Sequence, residues 1–141
     1  MEEQGACGKL IKQIHDELQK NANNAMRSLD VTMVQLDALM ELDRCTEKQL
    51  SLKEVEQRLH VAQSTAAGII SRLEQKGFVE GFGDAADRRI KLVRITPAGA
   101  ACAKEAQAQM AGAEAQLLSG LTETERGIFC ALLKKVRDSL G

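Results

Sequence analysis

The sequence predicts a mainly α-helical chain that carries one small β-hairpin, an α+β fold. Apolar residues recur at helical spacing towards both ends of the chain, and a pair of short helix patterns in the middle stops at Gly77. Two β-prone runs, Phe78 to Phe82 and Ile90 to Ile95, flank the polar stretch Gly83-Asp-Ala-Ala-Asp-Arg-Arg89. At 141 residues the chain fits a single domain, 1–141, and its 44% hydrophobic content draws a core from Leu, Ile, Val and Ala. There is no Trp or Tyr and there are three Phe, which argues against base stacking on an aromatic platform.

The first helix is expected over 7–29, with Leu10, Ile11, Ile14, Leu18, Ala22, Ala25, Met26 and Leu29 on one face. So long an amphipathic helix needs a partner surface, and a second copy of the chain is the readiest one. A second helix follows a cap at Asp30 or Thr32 and runs through Met33, Leu36, Leu39, Met40 and Leu42. Ser51-Leu-Lys-Glu54 is a capping box that opens a short helix with Leu52, Val55 and Leu59 inward, and a very short strand fits just before it near Leu50 to Leu52. The next helix, Gln63 to Lys76, buries Ala66, Ile69, Ile70 and Leu73 and ends at Gly77, which suits a left-handed residue. Ile90, Leu92, Val93 and Ile95 are available to the core from the second β-run. Thr96-Pro97 starts an Ala-rich helix, Ala98 to Leu118, because proline at the first helical position forfeits no bond. Thr122-Glu-Thr-Glu125 caps a last helix carrying Ile128, Phe129, Leu132, Leu133, Val136 and Leu140.

The net charge is −1, but it is unevenly spread. From Arg44 to Arg94 ten Lys and Arg stand against seven Asp and Glu, while the rest has nine against thirteen. A basic centre between acidic arms suits a middle that faces phosphate. Two helices, a tight joint and a basic hairpin are the parts of a winged helix-turn-helix, which puts one helix in the DNA major groove and a β-arm near the backbone or minor groove. The lobe would span 31–99, with 7–29 and 97–140 forming a helical dimerisation region.

No apolar run approaches the ~18 residues of a membrane span. Met1-Glu-Glu-Gln lacks the basic start of a secretory signal, so a cytoplasmic location with reduced Cys7, Cys45, Cys102 and Cys130 is expected. His15, His60 and the cysteines lack metal-ligand spacing, so no metal or cofactor is expected. The absence of a Gly-rich phosphate loop, a nucleophile elbow or a local Cys/His arrangement argues against an enzyme.

Val31-Thr-x-x-Gln35-x-x-x-Leu39, Leu50-Ser-x-x-Glu54-Val, Thr65 through Leu73-Glu-x-x-Gly77-Phe-Val, Asp87-Arg-Arg89, Ile95-Thr-x-x-Gly99 and Leu121-Thr-x-x-Glu125 occur in order along nearly the whole chain. In these motifs the chain resembles the MarR family of bacterial transcription factors. The resemblance implies a homodimer in which helices one, five and six intertwine. Its two lobes would reach successive major grooves of a palindromic operator in double-stranded DNA, about 34 Å apart. It also implies a repressor released by a small aromatic or phenolic ligand, held in a crevice between the lobe and the dimer helices. His15, Met26, Met33, Met40 and Arg44 are candidates to line that crevice, although such residues more often belong to core or rim.

On the helix from Gln63 the face opposite the isoleucines carries Gln63, Ser64, Thr65, Ala67, Gly68, Ser71 and Arg72. Gln pairs with adenine, Thr and Ala touch the thymine methyl, and Ser serves base or phosphate, with Arg72 suited to phosphate or an internal contact. The bland alternative is a solvated helix face. Ala62 stands where relatives often have a capping Ser, so Gln63 or Ser64 is expected to satisfy the first amides. Gly68 stands where relatives often carry a long polar side chain, at a cost of about 1 kcal/mol in helix propensity. By the resemblance Arg89 enters the minor groove, Arg88 and Lys91 add charge, and Asp87 orients an arginine; Ala86 replaces a frequent Arg. Ser51, Lys53 and Lys48 are further phosphate candidates. Cys7 sits where peroxide-sensing relatives place a reactive thiol, here without the tyrosines that hold it. A thiol switch at Cys7 and a winged helix used only for protein contact are the alternative readings.

Overall fold

The computed structural model describes residues 5–141, so the Met1–Gln4 stretch lies outside it. The order is α1 (Ala6–Leu29), α2 (Met33–Arg44), β1 (Gln49–Ser51), α3 (Leu52–Leu59), α4 (Gln63–Gln75), β2 (Val79–Gly83), β3 (Lys91–Ile95), α5 (Pro97–Leu117) and α6 (Glu123–Ser139). This is a winged helix-turn-helix flanked by long helices. The anticipated short strand is present, one residue earlier than Leu50 to Leu52, and completes a three-stranded antiparallel sheet of order β1-β3-β2.

Local chemistry sets the element ends. Of the two candidate caps for α2, Thr32 is the one used. Its Oγ1 accepts from the Gln35 N–H at 3.2 Å and Gln35 Oε1 accepts from the Thr32 N–H at 3.2 Å. Asp30 instead closes α1 in the left-handed region, φ 56°. Ser51 with Glu54 and Thr122 with Glu125 form the capping boxes read from the sequence. Gly77 takes φ 77°, and its N–H bonds Glu74 O while that of Phe78 bonds Leu73 O, folding the chain back into β2. Thr96 Oγ1 accepts from the Gly99 N–H at 3.1 Å and donates to Gly77 O at 2.7 Å, tying the start of α5 to the end of α4.

The core joins Leu36, Leu39 and Leu42 of α2, Val55 of α3, Ala66, Ile70 and Leu73 of α4, one face of the sheet, and Cys102, Ala103 and Ala106 of α5. The register Val79↔Ile95 and Leu50↔Val93 puts those four side chains on the inner face. Ile90 was expected to be available to the core. It is exposed because β3 starts one residue later, and the turn that precedes it carries Ile90 out to the tip.

The helical arms bury far less. In α1 only Ala25 is buried, with Leu10 and Ile11 exposed, and α6 has no buried residue at all. Two cavities open there. One of about 380 Å³ lies between α1 and α5 beside Ala22 and Met110, and one of about 520 Å³ lies among Ile14, Leu121 and Phe129.

Candidate nucleic-acid interface

Two elements project from the lobe, the outer face of α4 and the β2–β3 wing. The turn from α3 into α4 is made by His60, held at φ 55° with its N–H on Glu56 O, followed by Val61 and Ala62. The inner side of α4 is locked, with Ala66, Ile70 and Leu73 at most 1% exposed. The helical period therefore leaves Gln63, Ser64, Thr65, Ala67, Gly68, Ser71 and Arg72 together on the exposed face. Neither Gln63 nor Ser64 caps the helix: Ala62 occupies the N-cap and no side chain bonds the first amides. Both side chains stay unspent, and the first-turn N–H groups remain open to an outside acceptor.

The wing tip is organised by carboxylates. Asp84 Oδ1 accepts from the Ala86 N–H at 3.0 Å, and the Asp84 N–H bonds Ile90 O at 3.0 Å, closing the loop. Asp87 Oδ1 accepts from the Arg89 N–H at 3.0 Å and from Arg89 Nε at 3.1 Å, while Oδ2 accepts from Nη2 at 3.0 Å. This fork holds the guanidinium in one orientation with its side chain 91% exposed. Hydrogen bonds from Arg89 hold the Asp87 carboxyl below the ordinary carboxylate value, and those from Asp87 raise Arg89 further, so both stay charged. Arg88 and Lys91 are exposed beside it, and among the described residues Arg72, Arg88 and Lys91 form no ion pair.

Sequence reasoning missed what braces the wing. Glu80 pairs with Arg94 across β2 and β3 at 3.8 Å, and the Arg94 guanidinium sits 4.6 Å over the Phe82 ring. Only the exact strand register, absent from local periodicity, brings those side chains to one face. Similarly, the Lys76 ammonium bonds the backbone carbonyl of Asp30 and lies 3.7 Å from its carboxylate, joining the end of α4 to the end of α1. The partners are far apart in sequence and carry no motif.

The lesser phosphate candidates differ among themselves. Lys53 is exposed on α3, Ser51 Oγ already accepts from the Glu54 N–H at 3.1 Å, and Lys48 is drawn to Asp43, 3.5 Å from its carboxylate.

The crevice candidates are not gathered in one place within a single chain. His15 and Met26 lie on α1 about 16 Å apart at 1.5 Å per residue. Met33 is exposed, Met40 packs against the core, and Arg44 pairs with Glu41 at 3.4 Å. None of the five lines either cavity between the helical arms. Cys7 is exposed near the start of α1. Of the other three cysteines, Cys102 is buried, with its thiol pushed up by burial against a smaller opposing pull from Lys76. Cys45 is half-buried, its Sγ donating to Glu41 O, and Cys130 is exposed in the single chain.

Comparison with known proteins matches residues 29–90 to the model of the MarR family. The multiple antibiotic resistance protein MarR of Salmonella typhimurium is 30% identical over 131 residues, 92% of this chain and 89% of that protein. The HTH-type transcriptional regulator YwaE of Bacillus subtilis is 32% identical over 91 residues, 64% of this chain, which spans 53% of YwaE's length. Among solved structures, the YusO protein of Bacillus subtilis shares the fold with a TM-score of 0.88 at 24% identity, covering 96% of this chain and 94% of that one. The MepR–DNA complex of S. aureus has a TM-score of 0.83 at 25% identity, covering 95% of this chain and 99% of that one.

Proposed function

The chain belongs to the MarR family, and from that premise we propose that it is a DNA-binding transcriptional regulator. It acts as a homodimer that represses from a palindromic operator, is released by a small aromatic or phenolic effector, and works in the cytoplasm. The observation that carries the reading is the pairing of two exposed elements on one rigid lobe: the polar outer face of α4, and a wing whose Arg89 is held outward by Asp87. Gln63, Ser64, Thr65 and Ser71 have the chemistry to read base edges, while Arg72, Arg88, Lys91, Lys53 and the free first-turn amides suit phosphate. MarR-family regulators are transcription factors rather than enzymes, and the solved MepR complex with DNA supports the same partner for this chain.

The homodimer is supported by the arms. Leu10, Ile11, Ile128, Leu132, Val136 and Leu140 are all exposed in the single chain. A second copy of the chain offers these faces a matching apolar surface, and a two-fold axis sets the two α4 helices one DNA turn apart, roughly 34 Å. No helix among the described residues is long and apolar enough to cross a membrane.

The test uses the full chain and a pool of genomic duplex fragments. Selected fragments should be retarded in a gel shift, more strongly at 50 than at 200 mM salt, and should share an inverted repeat. Recovery of no preferred sequence, with the protein folded and dimeric, would refute the regulator and leave the protein-contact module standing.

A further inference from the structure

We infer that Gly68 is the point of closest approach between α4 and DNA, and that its missing side chain determines whether the short neighbouring side chains reach base edges. This rests on the DNA-binding reading and deepens it by assigning sequence discrimination to one residue.

The chain's glycines divide by whether the chain itself explains them. Gly77 needs its left-handed φ of 77°, and a Cβ on Gly99 would lie 2.1 Å from the carbonyl oxygen of Phe78. Gly68 has neither reason. It stands in the interior of α4 with ordinary helical backbone, is exposed, and a Cβ built on it would meet no atom within 4 Å. Glycine is the least favourable helix-interior residue after proline, through the backbone freedom it loses on folding. Taken alone, the fold would gain from alanine there.

The other helix-interior glycines with the same empty surroundings are Gly8, Gly112 and Gly127. They lie on α1, α5 and α6, the helices proposed to meet a second copy. Every helix-interior glycine that the single chain leaves unexplained is thus on an element proposed to face another molecule.

Gly68 occupies the centre of the exposed face of α4. Ser64 and Thr65 lie one turn before it, and Ser71 and Arg72 one turn after. Serine and threonine hydroxyls reach only a short way beyond the helix surface, so they touch base edges only if the backbone itself comes close. A methyl group at 68 would stand the helix off and carry those hydroxyls past the ~3.5 Å limit of a useful hydrogen bond. Arg72 and the wing cations have longer reach and would still find phosphate. Discrimination should therefore fall while general affinity for duplex remains.

The experiment compares wild type with Gly68→Ala on the duplex selected by the wild type and on an unrelated duplex of equal length. The variant's thermal midpoint should rise by about 2–4 °C. Its affinity for the selected duplex should drop roughly tenfold or more, the loss of at least one base contact per dimer, with affinity for the unrelated duplex within twofold of wild type. Retained affinity for the selected duplex, equal loss on both duplexes, or a lowered midpoint would each overturn the inference. If the wild type selects no duplex at all, the DNA-binding reading falls and takes this inference with it. If the wild type selects one and Arg89→Ala weakens its binding while Gly68→Ala does not, only the inference falls.

Discussion

Asp87→Asn separates two accounts of the wing that predict opposite signs. Asparagine keeps one side-chain oxygen, so the bonds from the Arg89 N–H and Nε to Oδ1 at 3.0 and 3.1 Å survive. It places an NH₂ donor where Oδ2 had accepted from Nη2 at 3.0 Å, so the turn stays and the fork opens. If the wing acts only through charge, removing one carboxylate per protomer should tighten binding. Each unit of charge at phosphate is worth about 0.9 in the slope of log affinity against log salt, or about 1.8 for a dimer. Over the fourfold span from 50 to 200 mM, that slope corresponds to roughly a tenfold change in affinity. If Asp87 acts by aiming Arg89, the variant should bind more weakly at every salt, because the guanidinium must be ordered on binding instead of beforehand.

We expect the second result, measured by fluorescence anisotropy on a selected duplex across a salt titration. Arg89→Ala should shallow the slope by about 1.8 per dimer, and Asp87→Asn should add little in that background. Tighter binding by Asp87→Asn, or an undiminished effect of it without Arg89, would refute the positioning role. The pair sits in solvent, so the thermal midpoint should hardly move. Because the folded Asp87 carboxyl lies below its ordinary 3.8, whatever the clasp contributes is complete above that value and is lost only as pH falls through the lower one. Between pH 5 and 8 the Asp87–Arg89 clasp should therefore stay fully formed.

Gly99→Ala should cost about 3 kcal/mol in urea unfolding, because its Cβ would meet Phe78 O at 2.1 Å and Ile95 Cγ1 at 2.9 Å, with backbone unable to move aside. Asp37 is exposed on α2, and partial desolvation first and Glu41 second raise it above 3.8 against an opposing pull from Arg44. Its charged form therefore slightly weakens the fold as pH rises above that value, and Asp37→Asn should raise the melting temperature by a small, solvent-screened amount at pH 7 and by less at pH 4. Leu132→Lys with Val136→Lys should convert a dimer into monomer by sedimentation velocity and abolish the dependence of melting on protein concentration that a dimer shows, since both side chains are exposed within one chain.

What was legible in the sequence was what neighbouring residues decide between themselves. Ser51 with Glu54, Thr96 before Pro97 and Thr122 with Glu125 each close a helix end with partners three residues apart or less, and each was readable, whereas at α2 the sequence left Asp30 and Thr32 both open. The outer face of α4 was readable for the same reason, since helical period alone separates Ser64, Thr65 and Ser71 from Ala66, Ile70 and Leu73. Reasoning ran out where the third dimension chooses the partner. Nothing near Arg94 announces Phe82, nothing near Lys76 announces Asp30, and Ile90 reads as a strand residue until the preceding turn is seen to hold it outside. The crevice candidates rest on a weaker signal: Met33 and Met40 are apolar at helical spacing, and that pattern is silent about which face another molecule takes.

The chain also divides by where its folding energy can come from. The lobe closes on itself, with Leu36, Leu39, Leu42, Ile70, Leu73 and Val93 all under 2% exposed. Helix α6 has a capping box at its start yet no buried residue along its 17 positions. A helix of that length is marginal in water on propensity alone, and it carries Gly127 in its interior. In the proposed homodimer its order would be supplied by association, coupling folding of the arms to dimerisation. The lobe is attached to those arms through α5, whose Gly99 packs on the strand leading into the wing, and through Lys76, which holds the end of α4 to the end of α1. In the proposed dimer, a change in how the arms pair would have two short, stiff routes to the elements proposed to face DNA, and an effector that altered the pairing would not need to touch α4 or the wing to displace them.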